Sequence, residues 1–302
     1  MTEPRGLVFT ITRGSFVDGY GIRTTVFLKG CPLRCIWCCN PESQQIYPEI
    51  KFTSNECNGC GRCFDKCPAG AIIQYEGRAY IDRERCDNCG VCADACYRGA
   101  IAHFAEFQTV DEVFAEVYKD NSFYRTSGGG VTIGGGEPTF QTGFTRALLG
   151  KLHDAGVHVA FDTCGYTVSD EAFALLTNAD LLLFDLKGLD AEKHKLYTGV
   201  DNRIILDNLK RLDDMGKDII IRLPMITGFT DDDSCIDAEI ELIKGMKSVK
   251  RAEIIPYHDF ARIKYEQLGR EYPLDTDFLT DRRADEIKDR FIAAGIIAQI
   301  GG

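Results

Sequence analysis

The 302-residue chain is short of basic charge, of extended apolar runs and of any leader-like start. Lysine and arginine number 35 against 46 aspartates and glutamates, a formal net charge of −11. That balance argues against non-specific binding to nucleic acid and against an anionic membrane surface. No apolar run reaches the ~18 residues that a membrane-spanning helix needs. Residues 1–6 carry no basic stretch followed by an apolar one, so no secretory leader is expected. Cysteine, by contrast, is abundant. There are fourteen, twelve of them between Cys31 and Cys96, with only Cys164 and Cys235 beyond. In a secreted chain these would suggest disulfides; here the clustered C-x2-C spacing reads as metal ligation. The expected setting is the cytoplasm of a cell short of oxygen, because low-potential clusters are easily oxidised.

Cys31, Cys35 and Cys38 follow C-x3-C-x2-C spacing. A cubane 4Fe-4S cluster usually takes four thiolates. Three closely spaced thiolates hold three irons and leave the fourth open to a substrate. Further on, one pattern occurs twice with every cysteine offset by 29 residues: Cys57, Cys60, Cys63 and Cys67, then Cys86, Cys89, Cys92 and Cys96. This resembles the bacterial ferredoxin run, in which the fourth cysteine of each copy ligates the other cluster. The resemblance implies one cluster on Cys57, Cys60, Cys63 and Cys96, and a second on Cys67, Cys86, Cys89 and Cys92. Tyr97 stands where the second copy would have proline, which alters a turn but no ligand. Zinc sites, which usually close with two pairs, or purely structural clusters are the alternatives.

Outside residues 46–105, apolar runs alternate with amphipathic stretches. Thr24–Leu28, Val131–Ile133, Val157–Phe161, Leu181–Phe184, Ile219–Leu223 and Glu253–Ile255 read as buried strands. Helical patterns fall at Val110–Tyr118, Phe144–Asp154, Asp170–Leu176, Arg203–Met215, Asp233–Met246 and Arg282–Ala293. The alternation predicts an α/β fold with a parallel sheet. Six such units fit a partial (β/α)6 TIM-like barrel, with its site at the carboxyl ends of the strands. The barrel would comprise residues 1–45 and 106–302. Residues 46–105 would form an inserted ferredoxin-like domain with two clusters.

Gly134, Gly135, Gly136, Glu137 and Pro138 follow one of these runs. Glycines at a strand end let a ligand approach the backbone. Together with the three-cysteine loop, this stretch resembles the radical S-adenosylmethionine (SAM) superfamily. Asp18-Gly-Tyr-Gly21, Trp37-Cys38-Cys39-Asn40-Pro41-Glu42, Asp185-Leu-Lys187, Pro256-Tyr-His258 and Lys264-Tyr265 narrow the resemblance to the activating enzymes of glycyl radical enzymes, in their larger form with a two-cluster insert. The resemblance implies three 4Fe-4S clusters and SAM as cofactors. The cluster electron splits SAM, and the 5′-deoxyadenosyl radical takes a hydrogen from a backbone glycine of the partner. It implies Cys31, Cys35 and Cys38 as catalytic ligands, and Gly134, Gly135, Gly136, Glu137, Asp185, Lys187, Arg222 and His258 around SAM. Asp162, Thr163 and Asp185 match a monovalent cation site, and Asp18 and Arg23 the loop that meets the partner's glycine segment.

The chain departs from the family pattern at Gly134, usually serine, and at Tyr20, usually proline. Asp162 and Thr163 could equally cap a helix, Arg222 could be a structural ion pair, and Cys164 and Cys235 read as small buried side chains. Flavodoxin or ferredoxin is the expected electron donor, with the insert clusters as a relay. Two other functions compete: a radical SAM enzyme acting on a small molecule, and a ferredoxin-type electron carrier without catalysis.

Overall fold

A computed structural model describes residues 3–301. Met1 and Thr2, part of the leader reading, and Gly302 lie outside the described residues. In chain order the strands are β1 (Arg5–Ser15), β2 (Arg23–Leu28), β3 (Ile50–Phe52), β4 (Ile72–Tyr75), β5 (Arg78–Ile81), β6 (Ile101–His103), β7 (Glu106–Thr109), β8 (Gly130–Gly135), β9 (Val159–Thr163), β10 (Leu181–Asp185), β11 (Ile219–Met225), β12 (Val249–Pro256) and β13 (Ala298–Ile300).

Nine of them form one sheet, in the order β13-β12-β11-β10-β9-β8-β2-β1-β7. From β2 to β13 all pairings are parallel. β1 runs antiparallel to both β2 and β7. The edges β13 and β7 do not meet, so the barrel is partial. Strands buried on both faces read as continuous apolar runs, and Leu181–Phe184 and Ile219–Ile221 are wholly buried.

Helices Thr142–Asp154, Asp170–Asn178, Arg203–Asp214, Asp233–Lys244 and Asp281–Ala293 return the chain between parallel strands. Their inward stripes, such as Leu148, Leu149 and Leu152 or Ile236, Ile240 and Ile243, join the main core. Their starts are set by side chains that accept a backbone N–H of the first turn: Ser169 from Ala172, Asp232 from Cys235, Thr280 from Arg283. Among the described residues no helix is long and apolar enough to cross a membrane.

The six expected strands and helices are present, with shifted ends; the run expected from Val157 is a strand only from Val159. Three sheet strands had no clear signal. Most of β1 beyond Phe9 is polar and exposed, and its pairing with β2 is irregular. β7 has four residues and β13 only three. Helix Ala191–Thr198 buries just His194 and Thr198, so it shows no apolar stripe.

Between β2 and β7 the chain builds a second, small core. β3 pairs with β6 and β4 with β5, both antiparallel. Ile50, Ile72, Ala79, Ile81 and Ile101 pack there with Cys63 and Cys92.

Candidate active site

A cavity of about 470 Å³ opens at the carboxyl ends of the parallel strands, the general place for sites in such sheets. The loop after β2 supplies Cys31, Cys35 and Cys38, and β8 ends in Gly135 and Gly136. β9 ends in Asp162 and Thr163, and β10 leads to Asp185 and Lys187. Arg222 comes from β11, His258 from just beyond β12, and Asp18 from the loop between β1 and β2.

The cysteine loop is fixed before any ligand is considered. Gly30, at φ +98°, turns the chain where a Cβ would stand 2.5 Å from the Phe140 ring. Arg34 N–H donates to Thr198 O at 2.7 Å and Ile36 N–H to Tyr197 O at 3.0 Å. Trp37 packs against Tyr197 and Phe229. Burial pushes the Cys35 thiol up to about 12, while nearby Lys187 pulls it down. The Cys31 thiol is shifted the other way, chiefly by a hydrogen bond from Cys164.

The glycines form a cradle packed so closely on the backbone of β2 and the turn after it that no side chain fits between them. A Cβ on Gly135 would lie 2.7 Å from Leu28 N, and one on Gly136 would lie 2.2 Å from Gly30 O. Gly134 and Glu137 sit differently from the expectation, for neither reaches the cavity wall. A Cβ on Gly134 would meet Asp162 Cβ at 2.8 Å, which explains why serine is absent here. Glu137 is 1% exposed. Its carboxylate accepts from Thr139 N and Oγ1, Thr163 Oγ1, Cys164 N and Cys164 Sγ at 2.9–3.2 Å. It ties the end of β8 to the end of β9.

Arg222 pairs with Glu253 at 3.1 Å, Asp162 at 3.4 Å and Asp18 at 3.7 Å, and donates to Val17 O. Its fork is thus engaged by the protein's own acids. Asp185 and Lys187 pair at 2.6 Å. Burial pushes the Asp162 carboxyl up to about 7; Arg222 opposes this, and Asp185 and Asp18 add to it. His258 Nδ1 is buried without a hydrogen-bond partner, and its ring stacks on Phe260 at 4.5 Å; Asp162 Oδ1 has only the Arg222 guanidinium beside it. Buried polar atoms are normally satisfied, so the orphaned His258 nitrogen on the cavity wall suits a polar ligand beside the thiols.

Arg23 corrects the expectation for the partner loop. It is fully buried at the start of β2 and donates to Thr132 Oγ1 at 2.7 Å and Val131 O at 2.6 Å. It braces the 18–22 loop and presents nothing to a docked chain. Asp18 does face the cavity, accepting from Ser15 Oγ and Thr25 Oγ1. Tyr20 lies under the Arg251 guanidinium, 5.2 Å from its ring centre. Cys164, read from the sequence as a small buried side chain, is buried as expected and also lines the cavity beside Cys31, donating to Glu137. The Asp162-Thr163-Cys164 run at a strand end was the available signal.

In the insert, Cys57, Cys60, Cys63 and Cys96 line one hollow. Around Cys92 lie Cys86, Cys67 and Cys89; burial, then their charges, push its thiol up to about 11. The two sets come together across the two copies of the motif. Among the described residues no three His, Cys, Asp or Glu side chains converge as ligands of a single ion.

Residues 84–235 match the Radical SAM superfamily and residues 56–101 a 4Fe-4S dicluster domain. The trans-4-hydroxy-L-proline dehydratase activating enzyme of Clostridioides difficile is 38% identical, over 98% of this chain and 99% of its own. The benzylsuccinate synthase activating enzyme of Thauera aromatica is 41% identical, over 98% and 92%. Streptococcus suis SuiB bound to precursor peptide SuiA shares the fold, with a TM-score of 0.56 and 14% identity over 95% of this chain and 50% of that one. The cysteine loop, the glycine cradle and these end-to-end relatives lead to one conclusion: the chain belongs to the radical SAM activating enzymes of glycyl radical enzymes.

Proposed function

We propose that Cys31, Cys35 and Cys38 carry a catalytic 4Fe-4S cluster, that the wall from Gly135 to His258 holds SAM, and that the substrate is a glycine of a partner glycyl radical enzyme. When bound, the cluster and SAM together supply the 5′-deoxyadenosyl radical that removes the glycine hydrogen. The observation that carries this reading is the meeting, across one cavity, of three thiols with the backbone of Gly135 and Gly136 and the unpartnered His258 Nδ1.

The tasks of the residues follow from their positions. Gly135 and Gly136 offer backbone groups with no side chain in the way, as an amino acid's charged end requires. Asp185 and Lys187 offer one charge of each sign to that same end. His258, backed by Phe260, offers a flat face and a ring nitrogen to an adenosine. The oxygens of Asp162, Thr163 and Asp185 suit a monovalent cation. Asp18 lies beside Val17, which is 55% exposed, and meets the partner's glycine loop. Arg23 and Glu137 hold these parts in place from behind.

The eight insert thiols hold two further clusters, three in all, within a domain spanning 46–105 between barrel segments 1–45 and 106–302. These clusters relay electrons from flavodoxin or ferredoxin, in an oxygen-poor cytoplasm.

Anaerobic electron paramagnetic resonance tests the reading. The iron-loaded, reduced protein is given SAM and a glycyl radical enzyme. A radical doublet is expected on the partner and is lost when the partner's glycine is changed to alanine. Cys35→Ala is expected to abolish deoxyadenosine formation and leave the insert clusters visible. Deoxyadenosine formation by that variant at the normal rate would sink the assignment.

A further inference from the structure

The two thiol sets of the insert occupy different ends of it. In the β3–β6 ribbon Ile50 faces His103, and Phe52 faces Ile101. The chain comes from the barrel through Glu49 and returns through Phe104, whose N–H donates to Glu49 O at 2.8 Å. The Ile50–His103 end is therefore the barrel end. The Cys86–Cys92 loop packs there. Ile50 N–H donates to Asn88 Oδ1 at 3.3 Å, Arg83 donates to Ile50 O at 2.9 Å, and a Cβ on Gly90 would stand 2.2 Å from the His103 ring. The other set belongs to the far end. Thr53 N–H donates to Ala100 O at 2.7 Å, and Cys96 Sγ accepts from Ile101 N at 3.4 Å.

One short stretch joins the barrel end to the catalytic loop. Arg83 donates to Gln267 O at 2.8 Å. Three residues earlier, Lys264 donates to Cys39 O at 3.1 Å and Asn40 Oδ1 at 2.7 Å. Gln267 also holds Thr53 Oγ1 at 3.0 Å, which lays the ribbon lengthwise along this stretch.

The far set has its own surface character. The charged side chains at the hollow around Cys57, Cys60, Cys63 and Cys96 are Arg62 and Arg98. Both are exposed, as is Cys60. Arg62 lies over the Tyr97 ring at 4.7 Å, and Arg98 has Glu56 only at 4.0 Å. On a chain of net charge −11 the charged lining of this hollow is cationic, with Glu56 paired to Arg98 at its edge. Such a patch selects partners of opposite charge and speeds their encounter.

We propose that electrons enter at the Cys57, Cys60, Cys63 and Cys96 site, from an acidic one-electron carrier protein seated on Arg62 and Arg98, and pass through the Cys67, Cys86, Cys89 and Cys92 site to the catalytic loop. The inference rests on the reading of the insert thiols as two clusters. In each step one centre loses one electron and the next gains it; no bond forms or breaks.

Anaerobic stopped-flow bleaching of the iron-loaded protein tests it, with a reduced acidic ferredoxin as the probe donor and methyl viologen radical as the control. Arg62→Glu with Arg98→Glu is expected to slow reduction by ferredoxin about tenfold or more at low salt and to remove its salt dependence. The viologen rate should not fall. An unchanged ferredoxin rate overturns the docking face. Cys89→Ala is expected to leave one insert cluster rapidly reducible by ferredoxin and to isolate the catalytic one. Cys60→Ala is expected to slow ferredoxin reduction of every remaining cluster, and the reverse pattern overturns the order. Iron analysis separates the two readings. About twelve irons per chain with unaffected rates refutes this inference alone, whereas about four refutes the three-cluster reading beneath it.

Discussion

Asp162 is a carboxyl buried beside two other acids, with the Arg222 guanidinium 3.4 Å from its Oδ1. Its ordinary value near 3.8 is raised to about 7, so it is charged above that pH and neutral below. SAM carries a sulfonium and an ammonium, and both call for negative charge nearby. Binding that draws on the Asp162 carboxylate is full at high pH and is lost as pH falls through about 7. We expect the SAM dissociation constant, followed by calorimetry, to rise between pH 8 and pH 6, and Asp162→Asn to remove that dependence. A wild-type constant flat over this range would count against the role. At this scale the sequence was legible where spacing alone defines chemistry, as in the cysteines. The surroundings of Gly134, Glu137 and Arg23 were not legible, because side-chain direction is decided by tertiary neighbours: a carboxylate surrounded by five donors cannot be told from one facing a ligand by its place in a motif.

Among elements, the short helix Arg262–Gln267 has more reach than its length suggests. Lys264 pairs at 2.8 Å with Glu42, whose side chain is 3% exposed and whose Oε2 has no other partner. Removing one member of a buried ion pair costs ~3–5 kcal/mol, because the other charge stays uncompensated. Because Lys264 is itself 32% exposed, Lys264→Met is expected to lower stability by less than that, roughly 1–3 kcal/mol, and to free the Cys39–Asn40 backbone. Iron release to a chelator should quicken, and Lys264→Arg should restore part of the loss. Equal release rates in Lys264→Met and wild type would show that this pairing does not hold the loop. The parallel strands and their helices were legible because burial on both faces, or on one stripe, leaves a period in the sequence. β1, β7 and β13 were not: β7 and β13 are short edge strands, and β1, though paired on both sides, is mostly polar and exposed beyond Phe9.

For the whole molecule, two cores of unequal strength share one chain. The barrel core is built of aliphatic and aromatic side chains from nearly every strand and helix. The insert core has few aliphatic residues and depends on cysteines. Small domains with little apolar core usually need metal or another cross-link to fold. Iron chelation is therefore expected to open the insert first. Limited proteolysis of the chelated protein should cut between Cys57 and Cys96 and leave the barrel intact. Simultaneous loss of both would mean that the cores fold as one unit. The doubled cysteine motif made this division legible in the sequence. The end of the insert that faces the barrel was not, because it depends on the register of two three-residue strands.

The hydrogen bond between Phe104 and Glu49 places the two ends of the insert side by side. A module whose ends touch can be gained or removed without rerouting the strands around it. A short turn joining Glu49 to Phe104 would leave β2 and β7 where they are. Modularity of this kind gives evolution, and the protein engineer, a unit that can be exchanged while the barrel scaffold is kept.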